Sequence, residues 1–241
     1  MRRFLLTFLM LAGLSAPALA EDFSREQIDQ FIHEYLMKNP QVVIDSVNEY
    51  GKKQQEAENK KSEDAVKANM NWLVSNTKHA EAGNPKGDVT IVEFFDYNCG
   101  YCKQALSDLM SIIDSDKNVR LVFIEIPILG QSSFEAARWA LAAKNQKMYL
   151  EYHVALMRHR GAFDENILAD YAKKVGLDVE KLKKDKSDPI IDAILQENLR
   201  MSTDFGISGT PAFVVGTKLI RGYISGDEMR QAVVDARKAK N

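Results

Sequence analysis

Val89-Thr90-Ile91-Val92-Glu93-Phe94-Phe95-Asp96-Tyr97-Asn98-Cys99-Gly100-Tyr101-Cys102 is the stretch that decides the fold. Its first seven residues form a continuous β-favouring run, as expected of a strand buried on both faces. The run leads straight into a Cys-x-x-Cys motif. Helical spacing follows from Lys103 to Ile113, carried by Leu106, Leu109, Met110 and Ile113. A strand feeding a helix in this way sets Cys99 near the helix N-terminus. Unpaired backbone N–H groups and the positive end of the helix dipole stabilise an anion there, which lowers the thiol pKa. Cys102 lies one turn later on the same side, close enough to close a disulfide and shielded from solvent. Cys99 is the expected nucleophile and Cys102 the thiol that resolves a mixed disulfide.

Working outward, Val119 to Ile126 reads as a second strand, stopped by Pro127. Residues 134 to about 206 are helical by periodicity, with Phe134 to Leu141, Tyr149 to Met157, Ile167 to Val175 and Ile190 to Met201 as the clearest segments. Pro211 to Val215 and Lys218 to Ile220 form a hairpin around Gly216-Thr217, and Glu228 to Lys238 a closing helix. The order predicts an α/β fold of thioredoxin-like type, a sheet with helices on both sides and an inserted helical domain at about 131–206.

Upstream, residues 21–80 read as all helical. Ser24 and Gln27 make a capping box, with Phe23 and Ile28 at the flanking staple positions. Ile28, Phe31, Ile32, Tyr35 and Leu36 share one helix face. Asn39-Pro40 restarts the chain as N-cap and first-turn proline for a helix carrying Val42, Val43, Val47 and Tyr50. The charged run Lys52 to Lys67 reads as a solvated helix or helical linker, and Gly83 to Gly87 as a turn cluster opening the catalytic domain, placed at 81–241.

The first twenty residues carry an export signature: Arg2-Arg3, an apolar run from Phe4 to Leu14, then Ala18-Leu19-Ala20. Residues 1–20 are therefore expected to be a signal peptide cleaved after Ala20, which directs the chain to the periplasm. The alternative, an uncleaved anchor, fits poorly because the apolar run is short. Loss of these residues takes Lys+Arg from 32 to 30 against 34 Asp+Glu, a balance of −4. That charge argues against a nucleic-acid partner. An exported chain with only two cysteines has no disulfide framework, so the pair is free for chemistry.

Half a zinc site is the competing reading of Cys-x-x-Cys. No second cysteine pair exists, and His33, His79, His153 and His159 lack ligand spacing, so no metal is expected. Glu93 interrupts a run that should be buried. A carboxyl there would have a raised pKa and could exchange a proton with Cys102; the plainer alternative is an exposed glutamate on a partly solvated strand. Thr210-Pro211 opens the hairpin, and alone it reads as an ordinary trans turn.

Glu93 to Cys102, together with Gly209-Thr210-Pro211-Ala212-Phe213, resembles the DsbA family of bacterial disulfide oxidoreductases from about Asp88 to the C-terminus. The resemblance implies that Cys99 is the nucleophile and Cys102 the resolving thiol. It makes Glu93 the buried acid, and Thr210-Pro211 a cis-proline loop that faces the cysteines and pairs with substrate backbone. Gly100 and Tyr101 are expected substrate contacts. Gly-Tyr between the cysteines and threonine before the proline are more similar to the isomerase DsbC, and the helical extension is similar to the oligomerising DsbA-like proteins of ScsC type.

The combined expectation is an exported enzyme that forms or isomerises disulfides through a mixed disulfide at Cys99, with the Cys99–Cys102 disulfide as its only redox group. Its partners would be unfolded or misoxidised exported proteins and a membrane redox partner. The stripe of residues 28–36 needs a covering surface, its own catalytic domain or another copy, and a homodimer or homotrimer through residues 21–80 is expected. A monomeric oxidase, and a copper-handling or chaperone protein using both thiols as ligands, are the alternative functions.

Overall fold

The computed structural model describes residues 23–239, so the expected signal peptide and its cleavage point lie outside the described residues. Contacts divide the chain into two compact units that meet between Lys53 and Gln54.

The first unit is helical. Helix α1 (Arg25–Lys38) starts at Ser24 with both halves of the capping box formed: Gln27 N–H donates to Ser24 Oγ, and Ser24 N–H to Gln27 Oε1. The ring of Phe23 packs edge-on against Phe31, with centroids 5.8 Å apart. Asn39 closes the helix by donating its side-chain amide to Tyr35 O. Helix α1 contains no buried residue, and Ile28, Phe31, Ile32 and Tyr35 all lie exposed. Helix α2 (Pro40–Ala68) opens at the predicted proline and exposes Val42, Val43, Val47 and Tyr50. The charged run Lys52 to Lys67 is helical, as expected, and does not break it. Glu, Lys, Gln and Ala are good helix formers, so one helix of 29 residues passes through the stretch.

The larger unit begins inside α2. Val66 near its end, and Leu73 of α3 (Met70–Ser75), have no exposed surface. They pack with Phe94, Ile124, Met201 and Phe205 on one side of the sheet. The boundary placed near residue 80 from sequence thus falls well after the division that contacts define. Val66 and Leu73, with Ala65, Met70, Trp72 and Val74 packed around them, carry the segment into the core.

The sheet has five strands in the order β1-β3-β2-β4-β5. They are β1 (Ala80–Gly83), β2 (Val89–Phe95), β3 (Val119–Glu125), β4 (Ala212–Val215) and β5 (Lys218–Arg221). Strand β2 pairs in parallel with β3, and the crossover that a parallel pair requires is α4 (Gly100–Ser115). The other pairings are antiparallel. The helical region after β3 comprises α5 (Gln131–Ala143), a 3-10 turn, α6 (Tyr149–Met157), α7 (Glu165–Lys174), α8 (Val179–Asp185) and α9 (Pro189–Asp204). Helix α10 (Gly226–Lys238) closes the chain with a second complete capping box, Ser225 and Glu228. β1 was not legible in the sequence. It has four residues rich in Ala, and it pairs through backbone groups at a sheet edge.

Side chains alternate across β2. Ile91 and Phe95 join the core formed with Leu106, Leu109, Ile112 and Trp139, whereas Val92 and Phe94 join the core with Val66 and Leu73. Among the described residues no helix is long and apolar enough to cross a membrane. Replacing Leu73 by Ala should lower unfolding stability by about 2–5 kcal/mol without changing the denaturant slope. Urea titration with a midpoint equal to the parent's would show that α3 is not part of the cooperative unit.

Candidate active site

Cys99 is the N-cap residue of α4, with extended backbone angles (φ −75°, ψ 116°). Its Sγ accepts the Cys102 backbone N–H at 3.3 Å, as a capping side chain does. A polar latch fixes the loop in front of it. Asp96, 1% exposed, accepts hydrogen bonds from Asn98 N–H, Leu129 N–H and Ser133 Oγ at 2.7 to 2.9 Å. Asn98 donates its amide to Ser132 and Ser133 at the start of α5. Cys99 N–H donates to Asp96 O at 3.1 Å. The catalytic loop is therefore pinned to the first turn of the helical insertion.

The two sulfurs differ in environment. Cys99 keeps 6% exposure, and Cys102 none. The Cys99 thiol is lowered to about 6, first by the hydrogen bond from the Cys102 thiol. Burial opposes this, and the Thr210 side chain and the backbone N–H groups of Cys102 and Tyr101 assist it. The helix start thus contributes as the sequence led one to expect, but the partner thiol is the larger cause. Cys102 is pushed far up, first by burial, then by its bond to Cys99 and by the charge on Glu93.

Glu93 sits in the middle of β2, 1% exposed. Neither carboxyl oxygen has a hydrogen-bond partner among the described residues. Burial raises its pKa to about 8, and the charge of Cys99 pushes in the same direction. The plainer reading of an exposed glutamate is therefore wrong in its premise.

The Thr210-Pro211 peptide bond is cis. Cys99 Sγ lies 3.3 Å from Thr210 O. Pro211 O accepts Gly222 N–H at 2.9 Å, which ties this loop to the end of β5. Residues 207–211 with Arg221 and Gly222 line a groove of about 180 Å³. Gly100 is exposed and Tyr101 is 64% exposed beside the sulfur. The structure thus gathers Cys99, Cys102, Glu93, Thr210, Pro211, Gly100 and Tyr101 around one point. Among the described residues no three His, Cys, Asp or Glu side chains gather as a metal-holding set.

Several polar residues here were not anticipated. Tyr97, fully enclosed, meets His153 Nδ1 at 3.0 Å, and burial lowers the His153 pKa to about 3. Glu125 is a second buried acid, raised to about 7 by burial while the hydrogen bond donated by Tyr149 opposes the rise. Lys103 donates to His159 O at 2.6 Å. Asp96, Tyr97 and Asn98 lie within the motif stretch itself. The others come together through tertiary packing.

The model of the DSBA-like thioredoxin domain family matches residues 90–234, and that of the copper resistance protein ScsC N-terminal domain matches residues 25–57. A solved thioredoxin-like oxidoreductase from Silicibacter pomeroyi is 42% identical, with a TM-score of 0.68, covering 70% of this chain and 97% of that one. The thiol-disulfide exchange protein alpha-DsbA2 from Wolbachia pipientis is 26% identical, with a TM-score of 0.69, covering 74% and 97%. A curated relative, the Na(+)/H(+) antiporter NhaA 1 of Salinispora arenicola, is 28% identical over 156 residues, 64% of this chain. The chain spans about a quarter of the length of such antiporter relatives, 24% in that case.

Because the Cys102 thiol is the main support of the Cys99 thiolate, Cys102→Ala should raise the Cys99 titration midpoint above about 6, and Thr210→Val should raise it by less. Thiolate absorbance near 240 nm against pH measures this. A midpoint unmoved in Cys102→Ala would leave the effect to the Thr210 side chain and the helix start.

Proposed function

Since the chain belongs to the DSBA-like thioredoxin family of thiol–disulfide oxidoreductases, we propose that it forms and isomerises disulfide bonds in exported polypeptides through a mixed disulfide at Cys99. The observation that carries this reading is the asymmetry of the pair: an ionisable Cys99 beside the Thr210 carbonyl, and an inaccessible Cys102 behind it.

In the dithiol form the Cys99 thiolate attacks a substrate disulfide. One substrate sulfur bonds to Cys99, and the other leaves as a thiolate. Cys102 then attacks Cys99 Sγ, closes the internal disulfide and releases the second substrate sulfur with the electron pair. The reverse sequence donates a disulfide to a dithiol substrate. The cysteine pair itself carries the electrons.

Glu93 supplies the proton logic. While Cys99 is charged, that charge helps to keep Glu93 protonated. Once Cys99 is bonded to substrate its charge is gone, and Glu93 can ionise and accept the Cys102 proton. In the oxidising direction Glu93 returns a proton to Cys102 as it leaves. Two thiolates are also soft ligands for Cu(I), but the full burial of Cys102 weighs against a shared ion.

The reading places the chain in the periplasm, with misoxidised exported proteins as substrates and a membrane redox partner that resets the pair. The exposed stripe Ile28, Phe31, Ile32 and Tyr35, in the segment matched by the ScsC N-terminal model, supports self-association into a dimer or trimer. Several Cys99 sites in one assembly would raise the local concentration of a captured substrate, which favours isomerisation.

Reactivation of scrambled ribonuclease in a glutathione buffer tests the function. The parent should reactivate it, and Cys99→Ser should not. The double variant Phe31→Glu, Ile32→Glu should sediment as a monomer and reactivate more slowly. An unchanged mass would remove the self-association claim, and no reactivation by the parent would remove isomerisation. Separately, Glu93→Gln should slow substrate release from the mixed disulfide by about 10–100-fold near pH 7, read by rapid quench. Parent-like release would leave Glu93 without a proton role.

A further inference from the structure

Tyr101 is the most exposed large side chain at the active site, and it is not alone. The ring of Tyr223, from the loop between β5 and α10, stacks on it with centroids 6.1 Å apart and planes 23° from parallel. Tyr223 is itself held from behind: its hydroxyl donates to Asp108 Oδ2 at 2.8 Å. Asp108 lies two turns beyond Tyr101 on α4 and is confined by Gly226, where a Cβ would come within 3.0 Å of Asp108 Oδ1. The residue before Tyr223, Gly222, is bonded to Pro211 O. Tyr223 is therefore fixed to the cysteine helix through its hydroxyl and to the proline loop through its neighbour Gly222.

From this geometry we propose that Tyr101 and Tyr223 form a pre-organised aromatic ledge beside Cys99, with Tyr223 as a specificity-determining residue. The ledge recognises a polypeptide that carries an aromatic or large aliphatic residue next to its reactive cysteine. This rests on the proposed exchange at Cys99 and deepens it. Two rings stacked in offset fashion leave one outer face open, and such a face is favourable for a third ring or an apolar side chain. An exposed tyrosine that is already ordered loses little rotamer freedom on contact. Misfolded polypeptides expose the apolar residues that native ones bury, so the ledge would favour cysteines in unfolded segments.

The test uses the full chain with Cys102→Ala and Cys99 capped by thionitrobenzoate. An incoming peptide thiolate attacks Cys99 Sγ and forms the mixed disulfide. The Cys99–thionitrobenzoate bond breaks, and the coloured thiolate leaves with the electron pair. Peptides with Phe, Leu, Ser or Gly beside a single cysteine, and 2-mercaptoethanol as a small thiol, are compared, each rate divided by the same thiol's rate with the protein-free thionitrobenzoate disulfide to cancel differences in sulfur reactivity. The expected result is a preference for Phe over Ser of about five-fold, falling toward one in Tyr223→Ala and only partly reduced in Tyr223→Phe, which keeps the ring but loses the bond to Asp108. Equal normalised rates for Phe and Ser peptides in the parent, or an undiminished preference in Tyr223→Ala, would overturn the ledge while leaving the exchange reading intact. Reaction with 2-mercaptoethanol but with no peptide would remove both.

Discussion

The site depends on one anion held at one place, the Cys99 sulfur at the head of α4. Its donors are ordinary groups: a neighbouring thiol, a threonine side chain and two backbone N–H groups of the first helical turn. What makes them effective is that none needs to move. The Asp96 latch fixes the residue before the cap, and β2 fixes the origin of the latch. The proline loop reaches the sulfur at the start of β4, which pairs directly with β2. Strand, cap and loop are thus three consequences of the same central pairing.

Electrostatics ties the three titrating groups to each other. Glu93 becomes harder to ionise when Cys99 is charged, and Cys102 when either of the other two is. The enclosed space around them favours a single negative charge, and the chemistry becomes a matter of which atom carries it. That view gives Glu93 a physical reason to sit in the middle of an otherwise apolar strand. An acid with hydrogen-bond partners of its own would ionise too early to serve.

How far the sequence could be read followed the range of the interactions involved. The strand from Val89 to Phe95 and the helix after Cys99 were legible because period and punctuation are local. Ser24 and Gln27 announced their capping box for the same reason. Glu93 stood out because its type conflicted with its neighbours. Strand β1 carries no such conflict, since Ala80 to Gly83 is short and edge-paired. The charged half of α2 hid Val66 among lysines and glutamates, and only the packed structure reveals that it is buried. Glu125, His153 and Tyr223 act through partners distant in the chain, so no window of sequence contains both members of the contact.

Gly100 occupies the first helical position, and a Cβ placed on it would meet nothing within 4 Å. The backbone N–H groups that support the sulfur belong to Tyr101 and Cys102, not to Gly100. Cys99 already has the extended angles that a following proline demands, and proline is well suited to a first helical turn. Gly100 is therefore an interchangeable position, free to vary without displacing the anchored residues on either side, whereas Tyr101 is engaged in its stack with Tyr223. A lineage, or a protein engineer, could change the surface beside Cys99 at this one position while the surrounding architecture stays as it is.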